Sequence, residues 1–261
     1  MKNDFELIVH KFDNDIVIYP ISDVHLGSLE HNKDEWEKFI GKIQNEPNAY
    51  VILAGDLINN ATRSSVSNIF DEVISPRAQK QKMVEYLKPI KHKILCAVCG
   101  NHERRSLKDA DDDPMYDIMC KLNLEDIYRQ NIAFMKIQIG KKGNGRSNAY
   151  VFGVTHGAGG GIYTGAAVNR NERFSHVIDG LDCLVVGHTH KGTVSKPSKI
   201  VIDPRNNTIT MKTITVVSSQ SWLSYGGYAV QKMLLPASLA SSDNGQKLVL
   251  TKTEKNIQVI W

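Results

Sequence analysis

Two hydrophobic periods alternate along the first two-thirds of this chain. Ile16 to Ile21 is short, apolar and β-branched, the pattern of a buried strand. Across Lys33 to Asn45, Trp36, Phe39, Ile40 and Ile43 recur at helical spacing, which predicts an amphipathic helix. Tyr50 to Ala54 is a second apolar strand. Ser75-Pro76 reads as an N-cap followed by proline at the first helical position, opening a helix that Pro89 ends. Lys93 to Val98 is a third strand, and Asp113-Pro114 opens another helix running to about Leu122. Ile132 to Ile139 and Ala149 to Thr155 follow as strands, joined by a glycine- and lysine-rich linker from Gly140 to Asn148 that suits a hairpin. A glycine-rich loop at Gly157 to Gly161, a helix around Ala166 to Ile178 and a strand at Cys183 to Val186 come next. From Thr193 onward the pattern is mostly β, with a turn at Asp203 to Asn207. No repeat, low-complexity tract or composition break interrupts this order, so one domain over residues 1–261 is expected.

Composition narrows the class without choosing a function. An apolar share of 41% and a charged share of 23% are those of a chain able to bury a substantial core. A net charge of +4 is compatible with phosphate-bearing partners but falls short of a dedicated nucleic-acid binder. No apolar run approaches the roughly 20 residues that span a bilayer, and Met1 to Glu6 has no apolar segment of the signal-peptide kind. The 4 cysteines, at 96, 99, 120 and 183, make no disulfide framework, so a reducing, cytoplasmic setting is expected. Cys96 and Cys99 have the spacing of a zinc or redox motif, but on a strand residues three apart point to opposite faces. They are expected to be two buried strand cysteines.

The chemistry concentrates in five clusters, each just past a predicted strand: Asp23-Val24-His25, Gly55-Asp56, Gly100-Asn101-His102-Glu103, His156-Gly157 and Gly187-His188-Thr189-His190. Ligand sites in open α/β sheets lie beyond the carboxyl ends of the strands. Five of the 9 histidines fall in these clusters. Carboxylates, imidazoles and one amide oxygen suit hard or borderline divalent ions. A phosphate ester needs charge neutralised and a hydroxide generated at neutral pH, and a pair of such ions supplies both.

The ordered series DVH, GD, GNHE, HG and GHTH resembles the calcineurin-like metallophosphoesterase family, over about two-thirds of the chain. The resemblance implies an α/β fold, a four-layer αββα sandwich of two mixed β-sheets flanked by helices, whose second sheet the strands after His190 would complete. It implies two divalent metal ions, with Mn²⁺ leading the candidates ahead of Fe, Zn and Mg. Asp23, His25, Asp56 and His190 would hold one ion, and Asp56, Asn101, His156 and His188 the other, with Asp56 bridging. His102 would be the general acid rather than a ligand, and a hydroxide between the metals the nucleophile. Glu103 is expected to brace its turn.

Substrate contacts are proposed at Arg104, Arg105, Asn59 and Arg170. Arg104 and Arg105 follow the GNHE turn, Asn59 follows Asp56 closely, and Arg170 lies beyond the glycine-rich loop. Asn60, Arg63, Tyr163, Arg173 and the aromatic stretch Ser221 to Tyr228 are further candidates for the walls of the site. Leu57-Ile58-Asn59-Asn60 after Asp56 departs from the VDRG-like segment of Ser/Thr protein phosphatases. The run is more similar to prokaryotic and phage phosphoesterases and to Mre11-type nucleases, although too little chain follows the last motif for a sizeable capping domain. The expected function is hydrolysis of phosphate esters, phosphodiesters first, on a nucleotide or other small ester. A nuclease using the same centre is the alternative, and an inert partner-binding scaffold is disfavoured because no motif residue is missing.

Overall fold

The computed structural model describes residues 4–63, 65, 69–140, 147–161 and 163–261, and the side chain of Tyr228 lies outside that description. The first residues of the N-terminus, residue 162 of the glycine-rich lip and most of the linker expected between Gly140 and Asn148 also lie outside the described residues.

Two six-stranded mixed sheets form the centre. The first is built on the parallel strands β2 (Ile16–Ile21), β3 (Ala49–Leu53) and β4 (Ile94–Val98), with the short β5 (Tyr128–Arg129) at one edge and antiparallel β13 (Lys247–Leu250) and β14 (Ile257–Ile260) at the other. The second runs in the order β1 (Ile8–Phe12), β6 (Ile132–Ile139), β7 (Asn148–Thr155), β8 (Cys183–Val186), β12 (Thr215–Ser218) and β9 (Thr193–Ser195). A separate two-stranded hairpin, β10 (Ser198–Asp203) and β11 (Thr208–Thr213), leaves this sheet between β9 and β12.

Alternation along the strands explains the layers. Ile18, Ile52, Cys96 and Val98 of the first sheet meet Met135, Phe152, Val154 and Val217 of the second in a core between the sheets. Residues one step out of phase, Tyr19, Val51, Leu53 and Ala97, pack instead against helices on the outer face. Those helices are α1 (Lys33–Asn45), α2 (Pro76–Leu87) and α4 (Pro114–Leu122). α1 turns the predicted stripe of Trp36, Phe39, Ile40 and Ile43 inward. Ser75 caps α2 through Ala78 N–H, and Asp113 caps α4 through Tyr116 N–H at 3.0 Å, each ahead of a proline at the first helical position. On the far side α5 (Thr164–Val177) lies against β12 and β9. The four-layer αββα order implied by the resemblance is therefore the one observed, but of the strands after His190 only β9 and β12 complete the second sheet, while β13 and β14 extend the first.

Some elements differ from the sequence expectation. A helix α3 (Glu103–Ala110) follows the GNHE turn directly, and a short α6 (Gly227–Gln231) interrupts the β-rich final third. β1 is an edge strand with only Ile8 fully buried, so polar Lys11 and half-exposed His10 mask its period. Cys96 lies between the sheets and Cys99 against the helical layer, which keeps the two thiols apart.

Candidate metal centre

The carboxyl ends of β2, β3, β4, β7 and β8 lie at the same end of the two packed sheets, and each leads into one of the five clusters. The turns are tight. Asp23, His25, Asp56, His188 and His190 all have left-handed backbones, with φ of 54°, 47°, 52°, 70° and 55°. Side chains other than glycine adopt this region at a cost, and strain of this kind collects where surrounding structure fixes a functional group. A backbone ladder ties the first two turns together: Asp23 N–H donates to Gly55 O at 3.1 Å and His25 N–H to Asp56 O at 3.1 Å.

Three groups of side chains converge: Asp23 with His25 and His190, His25 with Asp56 and His102, and Asp56 with His156 and His188. Within each group the donor atoms all lie within 4.8 Å of one another. His190 Nε2 is 3.1 Å from Asp23 Oδ1, and His156 Nε2 is 3.2 Å from Asp56 Oδ2. Asn101 Oδ1 joins the last group, 2.9 Å from His156 Nε2 and 2.7 Å from His188 Nδ1. Every metal-ligand candidate read from the sequence is thus brought to one place, with Asp56 common to two of the groups.

The donor set fits a divalent cation by its geometry. Ligands about 2.0–2.2 Å from a shared ion stand roughly 3–3.5 Å from each other. The Nε2 atoms of His25 and His190 face one another at 3.2 Å, a separation that one N–H···N hydrogen bond satisfies and that two ligands of a shared ion also adopt. Asp23 Oδ1 is buried and makes no well-formed hydrogen bond, its neighbour being His190 Nε2 at 3.1 Å, an arrangement that a cation held between the two would complete. Its other oxygen accepts from Ser22 Oγ and from His188 N–H at 2.9 Å, so Oδ1 is held pointing into the cluster.

Electrostatics agree with a centre built to hold positive charge. Burial works against ionising Asp23 and Asp56, yet the surrounding imidazoles, His190 for Asp23 and His156 for Asp56, hold both carboxyls well below the usual range. In return, burial disfavours a charge on His156, but Asp56 prevails and raises that imidazole to about 10. His190 is raised in the same way by Asp23, again against burial. His188 is lowered by burial and by the nearby His156.

His102 occupies a different position. Its Nδ1 lies 2.7 Å from Asn59 O, a carbonyl that can only accept, so Nδ1 carries the proton. Nε2 then accepts from Arg105 Nη2 at 2.9 Å. Burial first, and then the cationic neighbour Arg105 and His25, keep this imidazole well below its ordinary value despite Asp56. The backbone N–H of His102 donates to Asp56 Oδ1 at 2.8 Å, which locks the GNHE turn to the shared carboxylate.

Glu103 is wholly buried, and it braces the centre. Its carboxylate accepts from four backbone N–H groups, those of Asp56 (3.0 Å), Leu57 (2.7 Å), Ile58 (3.2 Å) and Gly100 (3.0 Å). Burial, with the Asp56 carboxylate beside it, pushes its carboxyl up to about 7.

The substrate-contact candidates divide. Arg105 stands at the centre, with Nη1 also donating to Asn59 O at 3.1 Å. Asn59 takes part through its carbonyl, while its side-chain amide donates to Glu72 at 2.7 Å. Arg104 turns away and donates to Gln130 O at 3.0 Å. Arg170 is spent on the glycine-rich lip, donating to the carbonyls of Ala158 (2.7 Å), Gly159 (3.2 Å) and Gly160 (3.2 Å). Asn60, with φ of 45°, fastens the GNHE turn by donating to His102 O at 2.8 Å. Two supporting residues carried no motif. Gln79 accepts from Asn60 N–H at 2.8 Å, and Glu72 accepts from Ala61 N–H at 3.1 Å. Both sit on or before α2, and no local pattern announces a contact made across the fold.

Over 126 residues, 46% of this chain, the sequence is 25% identical to the DNA polymerase II small subunit of Thermoplasma acidophilum, and it spans about a quarter of that protein's length. Among solved structures, similarity extends to a metallophosphoesterase from Sphaerobacter thermophilus, at 14% identity and a TM-score of 0.44, over 94% of this chain and 87% of that one. It also extends to the calcineurin-like phosphoesterase YfkN from Bacillus subtilis, at 10% identity and a TM-score of 0.41, over 95% and 90% of the two chains. The sequence profile of calcineurin-like phosphoesterases matches residues 16–192, more than half of the chain and every cluster from Asp23 to His190. With that match, this chain belongs to the calcineurin-like phosphoesterase family, whose chemistry is metal-dependent phosphoester hydrolysis.

Proposed function

We propose that the chain, read as one domain over residues 1–261, hydrolyses phosphodiesters with two divalent cations held at the strand ends. Asp23, His25, Asp56 and His190 would hold one, and Asp56, Asn101, His156 and His188 the other. The observation that carries this reading is that Asp56 stands between the two sets, grouped with His156 and His188 on one side and 3.9 Å from His25, which is grouped with Asp23 and His190, on the other. When bound, the cations would lower the pKa of a water and neutralise the phosphate's negative charge. Mn²⁺ suits a set of carboxylates, imidazoles and one amide oxygen, as do Fe, Zn and Mg.

The chain's own residues supply the rest. Because Asn59 O holds the Nδ1 proton of His102, Nε2 is the unprotonated ring nitrogen. It would first have to take up a proton, which a phosphate's negative charge beside it favours, and could then pass that proton to the leaving oxygen. Arg105, now on that same Nε2, has a guanidinium in place to take a phosphate oxygen, which would free the imidazole for proton transfer. Ser22, Glu103 and Asn60 hold the turns in their left-handed conformations, so the donor atoms are set before substrate arrives.

A nuclease activity at the same centre is the second reading, favoured by the likeness to a DNA polymerase subunit. No helix among the described residues is long and apolar enough to cross a membrane, and the four cysteines are free, as a reducing cytoplasm would leave them. The test is a side-by-side assay of aryl monoesters, aryl diesters, cyclic nucleotides and single-stranded DNA with Mn²⁺, for wild type and His102→Ala. Diesters should be turned over fastest, with His102→Ala about 10²- to 10⁴-fold slower at unchanged metal content. A wild type inert on all four substrates with Mn²⁺, and equally inert when the assay is repeated with Fe²⁺, Zn²⁺ and Mg²⁺, would overturn the reading.

A further inference from the structure

The β10–β11 hairpin carries an apolar face that nothing among the described residues covers. Its register sets Ile200 opposite Met211 and Ile202 opposite Ile209, with Ser198 opposite Thr213 at the base. Directly paired residues share a face, so these six side chains lie on one side of the ribbon. The four apolar ones are exposed to 67%, 69%, 68% and 72% in that pairing order. The other side carries Lys199, Val201, Asp203 and Lys212, all half-buried, with Thr208 and Thr210 exposed beside them, and Lys199 is tied to Asp179 at 2.6 Å. The charged side therefore rests toward the body, and the neutral side faces out.

The hairpin is also remote from the metal centre. β12 runs parallel to β8 from Thr215 opposite Cys183 to Ser218 opposite Val186, and the metal-site turn follows Val186. The hairpin joins β12 at the opposite end, where Ile214 N–H donates to Pro197 O at 2.9 Å.

We infer that this hairpin is a self-association arm, packing its apolar face against the same face of a second copy of the chain. A two-stranded ribbon is marginal in water unless a face is covered. This face carries no ionisable side chain, so two copies related by a twofold axis can stack without burying a charge. A membrane surface or nucleic acid would need cations on the exposed side, and the lysines lie on the other. The area fits a modest dimer. At about 25 cal/mol per Å², four such side chains offer on the order of 300 Å² per copy, against about 800 Å² for a standard interface. Flanking Ser198 and Thr213 add a little to this, and an area well below the standard marks the association as a weak, reversible one.

Sedimentation equilibrium on the full chain, from about 1 to about 100 µM, reads the prediction directly. Wild-type mass should climb from 29.2 kDa toward twice that value. Ile202→Glu and Ile209→Glu should each raise the dimer dissociation constant at least about tenfold. Both positions are exposed, so melting temperature in dilute solution and hydrolytic rate per chain should stay at the wild-type values. A wild type that remains at 29.2 kDa throughout overturns the inference, as does a wild-type dimer that both glutamate variants leave intact.

Discussion

Removing the Glu103 carboxylate should be among the most damaging single changes outside the proposed ligands. In Glu103→Ala, four backbone N–H groups lose their only acceptor side chain in a site with no solvent exposure. Each buried donor left unpaired costs about 1–3 kcal/mol, so the ceiling is roughly 4–12 kcal/mol. Water entering the vacated space and relief of the buried carboxylate reduce this to about 3–5 kcal/mol, a large part of an ordinary domain's stability. Glu103→Gln keeps one acceptor oxygen and turns an amide toward the two N–H groups at the other. It should lose about 2–3 kcal/mol by the same reasoning. Urea unfolding followed by circular dichroism, compared at constant m-value, gives both numbers. Activity should fall with stability in the same order, because three of the four donors belong to Asp56, Leu57 and Ile58, the turn that aims the shared carboxylate. If Glu103→Ala unfolds within about 0.5 kcal/mol of wild type, the bracing role is wrong.

Three further outcomes follow from the same geometry. A methyl at Gly100 would overlap Asp56 Oδ1 and Asp56 N, so Gly100→Ala should cost at least about 2 kcal/mol in urea unfolding and abolish metal-dependent turnover. Arg105→Ala should raise KM for a diester roughly 10- to 100-fold, the loss of one charge-assisted contact, while Arg104→Ala leaves steady-state kinetics unchanged because Arg104 is bonded to Gln130 O. Protonated His156, raised to about 10 in the folded chain, stabilises it fully below its ordinary 6.5, and that stability is lost as pH rises toward 10. Chelator-treated protein should therefore melt progressively lower between those two values, His156→Gln should flatten the slope, and metal uptake at pH 8 (~8) should release protons into weak buffer.

How much of this was legible in the sequence depended on range. The strands β8 and β6 were readable to the residue because their burial is continuous or strictly alternating, and β2 because its residues are apolar and β-branched with four of the six buried. The N-caps at Ser75 and Asp113 were readable because a cap and its proline are neighbours in the chain. The residues that converge at the strand ends were readable because such ends carry their chemistry in short words such as GNHE. β1 was missed because an edge strand buries little, and α3 because its only buried residue, Glu103, faces the metal-site turns rather than an apolar layer. Arg170 was a reasonable candidate as a cation beside a glycine-rich loop, but those carbonyls claim its guanidinium. Gln79 and Glu72 could not have been chosen, since what makes them matter is a contact with a turn that precedes them by a whole loop.

The central claim is that Asp56 organises two cation sites on which phosphodiester hydrolysis depends. Wild type and Asp56→Asn should be stripped with chelator, reconstituted with Mn²⁺, and compared for bound metal and for hydrolysis of an aryl phosphodiester. Wild type should be silent after stripping and recover fully as about two ions bind per chain, while Asp56→Asn stays folded, binds fewer ions and turns over at least about 100-fold more slowly. Stripped wild type that hydrolyses the diester at the reconstituted rate, or Asp56→Asn that matches wild type in metal and rate, would contradict the account.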